Sequence, residues 1–241
     1  MIQVRNLVKR YGELVALDHF DLDVRQGEIF GLLGPNGSGK TTVMKACLGL
    51  VAPGSGQVII GGHDVQKEHE SALQSVGALI EAPALFERLT ARKNLELAAA
   101  YYPDLPKGRI DEVLELVELG CYEKDKVMSF SLGMRQRTGF ALALLSKPGV
   151  LILDEPANGL DIEGMVAVRD MVKGAAADGA AVMISSHLAN EIEQCATQVG
   201  IMHDGHLLKV AGMDEVLQVC PNLEDYYLTQ VTSYRKGGAV A

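Results

Sequence analysis

What the chain is short of narrows its nature first. Basic residues are in deficit, 22 Lys and Arg against 31 Asp and Glu for a net charge of −9, which argues against broad adhesion to nucleic acid because that requires a basic face. No stretch approaches the roughly 18 consecutive apolar residues of a membrane-spanning helix, so the chain is not expected to cross a bilayer itself. The opening residues Met1-Ile2-Gln3-Val4-Arg5 lack the basic start, apolar centre and small-residue cleavage site of a signal peptide, and the expected location is the cytosol. The 4 cysteines, Cys47, Cys121, Cys195 and Cys220, form no CxxC pair and no pattern with histidine; they read as reduced thiols in the core or on the surface. Internal repeats and low-complexity segments are absent. What remains is the composition of a globular protein, 48% apolar and 22% charged over 241 residues, enough for one large domain or a domain with an inserted subdomain.

Against that background one stretch is highly constrained: Gly34-Pro35-Asn36-Gly37-Ser38-Gly39-Lys40-Thr41-Thr42. It follows an apolar run of strand length, Glu28–Leu33, and precedes Thr42–Leu48, whose apolar positions repeat at helical spacing. A strand, a Gly-rich loop and a helix in that order are the setting of a phosphate-binding loop. Glycines let the backbone fold around a polyphosphate, and the helix offers its positive end to the same anion. Lys40 then supplies a point charge to the outer phosphates, and the Thr41 hydroxyl is placed to ligate an accompanying Mg²⁺.

The remainder reads as an α/β chain with an all-helical interruption. Ile2–Val8, Leu14–Leu17 and Phe20–Val24 form an N-terminal β region with a turn expected at Asp18-His19. Tyr11 stands before a turn, where its ring either stacks on a base or caps a core. Gln57–Ile60 and Val76–Ile80 read as strands, with a helix over Glu68–Gln74 between them. From Glu81 to about Lys147 the period changes to 3.6: Thr90 caps a helix over Ala91–Tyr102, Lys107–Leu119 is a second closed by Gly120, and Ser131 opens a third reaching Leu145. Strands return at Val150–Asp154 and Ala180–Ser185, separated by a helix near Ile162–Ala177, then at Val199–Met202 and His206–Val210. Continuous apolar strands alternating with helices imply a mostly parallel sheet covered on both faces. The expected division is an α/β core at 1–80 and 148–212, a helical subdomain at 81–147, and a C-terminal helical segment at 213–241 ending in a frayed tail from Ser233.

Asp154 and Glu155 end the most hydrophobic strand, at the sheet edge where such folds bind ligands. Asp154 is placed to hold Mg²⁺ and Glu155 to take the proton of an attacking water. With these residues in place the chain resembles, over nearly its full length, the ATPase subunits of ATP-binding cassette (ABC) transporters. Residues 34–41 match the Walker A loop and 150–155 Walker B. Asn158-Gly159-Leu160-Asp161 matches the D-loop, His187 the switch histidine, Phe130–Arg137 the signature region and Tyr11 the adenine-stacking position. The resemblance implies a P-loop ATPase fold, ATP and Mg²⁺ as ligands, and a head-to-tail homodimer. In that dimer each ATP lies between the Walker A loop of one copy (Asn36, Gly37, Ser38, Gly39, Lys40, Thr41, Thr42) and Ser131 and Gly133 of the other. It further implies that His187 holds the γ-phosphate and orders water, and that Asp161 signals across the dimer.

Two departures narrow the family. Glu81 stands where most members carry Gln, and a carboxylate binds a hard cation more strongly than an amide while adding negative charge beside ATP. Leu132 and Met134 replace two residues of the usual LSGGQ signature, and Gly133 is kept. With Ile80–Pro83, Leu85-Phe86 and Leu89–Arg92, these look like the ATPases of bacitracin and lantibiotic immunity exporters, a group that carries a glutamate in this loop. The implied function is ATP hydrolysis on the inner face of the cell membrane, coupled to separate transmembrane permease chains, without direct nucleic-acid contact. The alternatives are the ATPase of another drug or lipid exporter and, more remotely, a soluble ABC ATPase acting on DNA or the ribosome.

Overall fold

The computed structural model describes residues 1–238. In chain order the elements are β1 (Ile2–Tyr11), β2 (Leu14–Val24), β3 (Ile29–Leu33), α1 (Lys40–Cys47), β4 (Ser55–Ile60), β5 (His63–Asp64), α2 (His69–Leu73) and β6 (Val76–Leu79). There follow α3 (Ala91–Ala99), α4 (Arg109–Leu116), α5 (Leu132–Leu144), β7 (Val150–Leu153), α6 (Ile162–Ala177), β8 (Ala181–Ser186), α7 (Ala189–Glu193), β9 (Gln198–His203), β10 (His206–Gly212), α8 (Met213–Val219) and α9 (Leu223–Gly238).

Two sheets result. The first is antiparallel, in the order β2-β1-β4-β5; the second runs β10-β9-β3-β8-β7-β6. In the second sheet every pairing is parallel except β10 with β9. Its inner strands are buried on both faces, which is why β3, β7 and β8 are apolar almost without interruption. Leu151, Leu153, Val182 and Ile184 join a core with α3–α9. Their alternates Ile152, Ala181 and Met183 join a second core with α1 and the antiparallel sheet.

The N-terminal strands are longer than the sequence reading expected. The turn expected at Asp18-His19 is a bulge inside a continuous β2: His19 (φ 48°) and Asn6 (φ 48°) both take left-handed backbone. Their side chains meet at 2.5 Å across the strands. Such a bulge lets the ladder continue while re-aiming the chain.

Residues 81–147 hold three α-helices and two single-turn 3-10 helices, Gly120–Tyr122 and Val127–Ser129, with shorter α-helical spans and more irregular chain than the periodicity predicted. Thr90 caps α3 by accepting from Lys93 N at 3.1 Å, as expected. The second helix stops before Gly120, because Glu118 (φ 55°) takes the left-handed position. Leu119 N then closes on Leu114 O at 2.8 Å, the bond that ends many helices.

At the other end, the segment from Ser233 is not frayed. It completes α9, with the Tyr234 ring 5.9 Å from those of both His203 and His206. The part of the expected tail beyond residue 238 lies outside the described residues. Among the described residues no helix is long and apolar enough to cross a membrane. All four cysteines are unpaired; burial pushes the Cys47 thiol up to about 12 and that of Cys195 to about 11, so both are inert as nucleophiles at neutral pH.

Candidate nucleotide site

Four neighbouring parallel strands, in the order β3-β8-β7-β6, deliver the candidate residues to one edge. The Gly-rich loop follows β3, His187 follows β8, Asp154 and Glu155 follow β7, and Glu81 follows β6. This is the C-terminal edge, the usual ligand-binding side of an α/β sheet. Leu79 and Leu153 are register partners, so Glu81 and Glu155 stand at equivalent positions, each two residues past its strand. Each takes left-handed backbone, with φ of 60° and 48°, a conformation held in non-glycine residues by surrounding structure and concentrated at functional sites.

The loop is bolted down from below. Gly205 N, in the β9–β10 turn, donates to Ser38 O at 3.1 Å. Gly39 (φ 104°) has no room for a side chain, since a Cβ would lie 2.5 Å from Ala16 O. Gly39→Ala is therefore expected to lower stability by at least about 1–3 kcal/mol from backbone strain alone, read as a drop in the urea midpoint with unchanged slope. At the crest Asn36 and Gly37 are exposed. Ser38 Oγ is buried and has no hydrogen-bond partner, an orphan polar atom of the kind a bound anion satisfies.

Lys40 opens α1 and is only 5% exposed. Its ammonium donates to Gly34 O at 2.8 Å and Pro35 O at 3.3 Å and lies 3.3 Å from Glu155 Oε1. A buried cation without such partners would cost several kcal/mol. The other oxygen of Glu155 accepts from His187 Nδ1 at 2.7 Å. Because a carboxylate only accepts, the proton sits on Nδ1. The loop carrying His187 is itself fixed by Ser186 Oγ, which donates to Glu191 at 2.5 Å and accepts from Leu188 N at 3.0 Å.

Beside this network lies a second one. Thr41 Oγ1 donates to Asp154 Oδ2 at 2.7 Å, and Ser185 Oγ donates to Asp154 Oδ1 at 2.6 Å. Ser185 Oγ also accepts from Glu155 N at 2.9 Å. Sequence reasoning passed over Ser185; the visible signal was a hydroxyl pair, Ser185-Ser186, closing an otherwise apolar strand. Thr41 and Asp154 present hard oxygen donors side by side. No cluster of three or more His, Cys, Asp or Glu placed to hold a metal occurs among the described residues. The Thr41–Asp154 oxygen pair fits a hard ion such as Mg²⁺, which takes one or two protein ligands and completes its shell with phosphate and water.

The remaining candidates lie apart. Tyr11 is 47% exposed, with Lys9 Nζ 5.0 Å from its ring centre; the open placement leaves ring surface available and does not make it a core cap. Thr42 is half-buried in the first turn of α1. Glu81 is held by Lys45, with Nζ 2.7 Å from Oε1. Ser131 caps α5, accepting from Met134 N at 3.2 Å, and with Gly133 shows no hydrogen bond to the Gly-rich loop of its own chain among the described residues. The start of α5 instead packs on the segment after Glu155: Gln136 Nε2 donates to Pro156 O at 3.0 Å, and Leu132 fills the space at Gly159. Asp161 caps α6, accepting from Gly164 N at 2.9 Å.

A Gly-rich anion cradle with a buried lysine, a Thr–Asp pair and a glutamate bridged to a histidine, all on one edge of a parallel sheet, define a nucleoside triphosphatase of the P-loop class. The sequence profile described as ABC transporter matches residues 17–158, and the chain belongs to that family as an ATP-binding subunit. A bacitracin transport ATP-binding protein of Bacillus licheniformis is 43% identical over 217 residues, covering 90% of this chain and 71% of the relative. An uncharacterised ABC transporter ATP-binding protein of Bacillus subtilis is 42% identical over the same shares. A lantibiotic transport ATP-binding protein of Streptococcus pyogenes is 34% identical over 231 residues, 96% of this chain and 97% of the relative. Among solved structures, the ATP-binding subunit of an ABC transporter superposes with a TM-score of 0.86 at 27% identity, covering 96% and 99% of the two chains. The dimeric cassette MJ0796 superposes with a TM-score of 0.80 at 26% identity, covering 88% and 99%.

Proposed function

We propose that this ATPase powers export of antimicrobial peptides of the bacitracin or lantibiotic kind and so confers immunity or resistance. The observation that carries the hydrolytic reading is the Glu155 carboxylate, shared between Lys40 at 3.3 Å and His187 at 2.7 Å. Asn36–Gly39, Lys40, Thr41 and Thr42 cradle the phosphates, and Tyr11 stacks on adenine. Glu155 takes the proton as water attacks the γ-phosphate, giving ADP and phosphate, and His187 keeps that carboxylate aimed. Thr41 and Asp154 would hold Mg²⁺, with Glu81 a further candidate ligand, and the ion would neutralise charge on the phosphates.

A second copy completes the site. Ser131 caps and Gly133 lies in the first turn of a 13-residue helix, with Ser131 and Leu132 exposed and Gly133 half-buried, the kind of helix start that accepts a phosphate. A head-to-tail homodimer brings them to the ATP on the partner's loop, with Asp161 at the junction, and a related cassette has been solved as a dimer. Residues 81–147 carry this second contact as one unit. The chain works on the cytoplasmic face of the membrane, bound to separate permease chains that meet the cargo.

The cargo class rests on the similarity to bacitracin and lantibiotic transport relatives and on Glu81. It is tested by deleting the gene in its native host and measuring growth inhibition by bacitracin, a panel of lantibiotics and unrelated drugs. Sensitivity is expected to rise several-fold to one of the peptides, and resistance to be restored by the parent gene but not by Glu155→Gln. A rise confined to unrelated drugs would instead favour the drug-exporter reading.

A further inference from the structure

The hairpin of β9 and β10 that supports the phosphate loop is itself held by a residue far outside the nucleotide site. His203 and His206 are the register pair that closes the hairpin. Asp204 (φ 47°) and Gly205 (φ 79°) form its two-residue turn, the left-handed pair that suits a tight hairpin. Gly205 is fastened twice: its N–H donates to Ser38 O at 3.1 Å, and its carbonyl accepts from Asp18 N at 3.0 Å. Just before the turn, β9 presses on the first glycine of the loop, because a Cβ on Gly34 would lie 2.5 Å from Met202 O. The end of the hairpin therefore sets the position of Ser38, whose buried Oγ is the unpartnered polar atom of the cradle.

The two histidines are not held by hydrogen bonds among the described residues. His203 is buried with Nδ1 unpartnered, and its Nε2 is 3.6 Å from Asp204 Oδ2. His206 Nε2 is 3.8 Å from Asp18 Oδ2, and both separations exceed hydrogen-bond length. Both rings instead share Tyr234. Its ring centre is 5.9 Å from each, edge-on to His203 at 77° and tilted at 49° to His206, within the range of favourable aromatic contacts. Leu223, Tyr226 and Val231 already dock α9 on the core. Tyr234 lies one turn beyond Val231 and is 36% exposed, so it adds little to that core.

We propose that Tyr234 is a positioning residue for the phosphate loop. Its ring clamps His203 and His206, the two histidines fix the Asp204-Gly205 turn, and Gly205 holds Ser38 where a polyphosphate meets it. The C-terminal helix thereby contributes to nucleotide affinity without touching the nucleotide. The ring rather than the hydroxyl makes these contacts, so Phe can replace Tyr and Ala cannot. The inference rests on the reading of residues 34–42 as the phosphate-binding loop.

The test compares Tyr234→Ala, Tyr234→Phe, His206→Ala and the double variant of Tyr234→Ala with His206→Ala, each in the full chain. Titration with a fluorescent ATP analogue reads affinity, exchange of the Gly205 amide by nuclear magnetic resonance reads the hold on Ser38, and a thermal melt reads the fold. Tyr234→Ala is expected to weaken binding several-fold and to speed Gly205 exchange while melting close to the parent. Tyr234→Phe is expected to match the parent in affinity and exchange. His206→Ala is expected to weaken binding as well, and the double variant no more than the stronger single one, because both changes break one relay. Parent-like affinity and exchange in Tyr234→Ala, an equal loss in Tyr234→Phe, or losses that multiply in the double variant overturn the assignment while leaving the loop reading intact. So does a Tyr234→Ala protein that melts far below the parent, since the residue then serves the fold. A parent protein that does not bind the analogue overturns the loop reading as well.

Discussion

Glu155→Gln is expected to lower kcat for ATP hydrolysis by about 10²–10⁴-fold while ATP binding is kept. The amide has the size of the carboxylate and can occupy the same place between Lys40 and His187, 3.3 Å and 2.7 Å away, but it cannot accept a proton from water. Removing the negative charge also relieves repulsion with the incoming phosphates. ATP should then persist in the site, and the variant should run as a dimer on size-exclusion in Mg-ATP where the parent reverts to monomer. Single-turnover hydrolysis separates the chemical step from product release. A loss of less than about tenfold, under about 1.4 kcal/mol of barrier, would remove Glu155 from the proton-transfer role.

Lys40→Met is expected to weaken ATP binding by about 2–4 kcal/mol, or roughly 30- to 1,000-fold. Lys40 is the buried cation of the loop, and its loss strands the Glu155 carboxylate as well as the Gly34 and Pro35 carbonyls. Arg is not expected to rescue it, because a planar fork cannot occupy the niche of a point charge held by two backbone oxygens. Titration with a fluorescent ATP analogue reads the affinity, and a parallel thermal melt separates lost binding from lost fold. Affinity within threefold of the parent, with the fold intact, would contradict the assignment.

Local chemistry made much of this molecule readable from sequence. The loop at 34–42 is spelled by residues whose backbone and charge requirements leave few other uses, and α6 spans Ile162–Ala177, the range expected from sequence. Asp154 and Glu155 were legible because an apolar strand ending in acids points to a binding edge. What escaped depends on pairing across distance. The bulge at His19 exists because Asn6 faces it from another strand, and the Lys45–Glu81 pair joins residues 36 apart in sequence. The last helix looked frayed because its polar, Gly-containing end gives no sign that Tyr234 lies against two histidines of a neighbouring hairpin. Ser185 was hidden for the same reason, since its role is set by Asp154 on the adjacent strand.

The claim that this ATPase serves a membrane exporter is tested most directly by affinity capture. Tagged Glu155→Gln protein with Mg-ATP is recovered from gently solubilised membranes of the native host, and its partners are identified by mass spectrometry. The account predicts polytopic membrane chains without ATPase motifs of their own, in stoichiometric amounts. Recovery of ribosomes or DNA-bound proteins in their place would contradict it and leave only the ATPase chemistry standing.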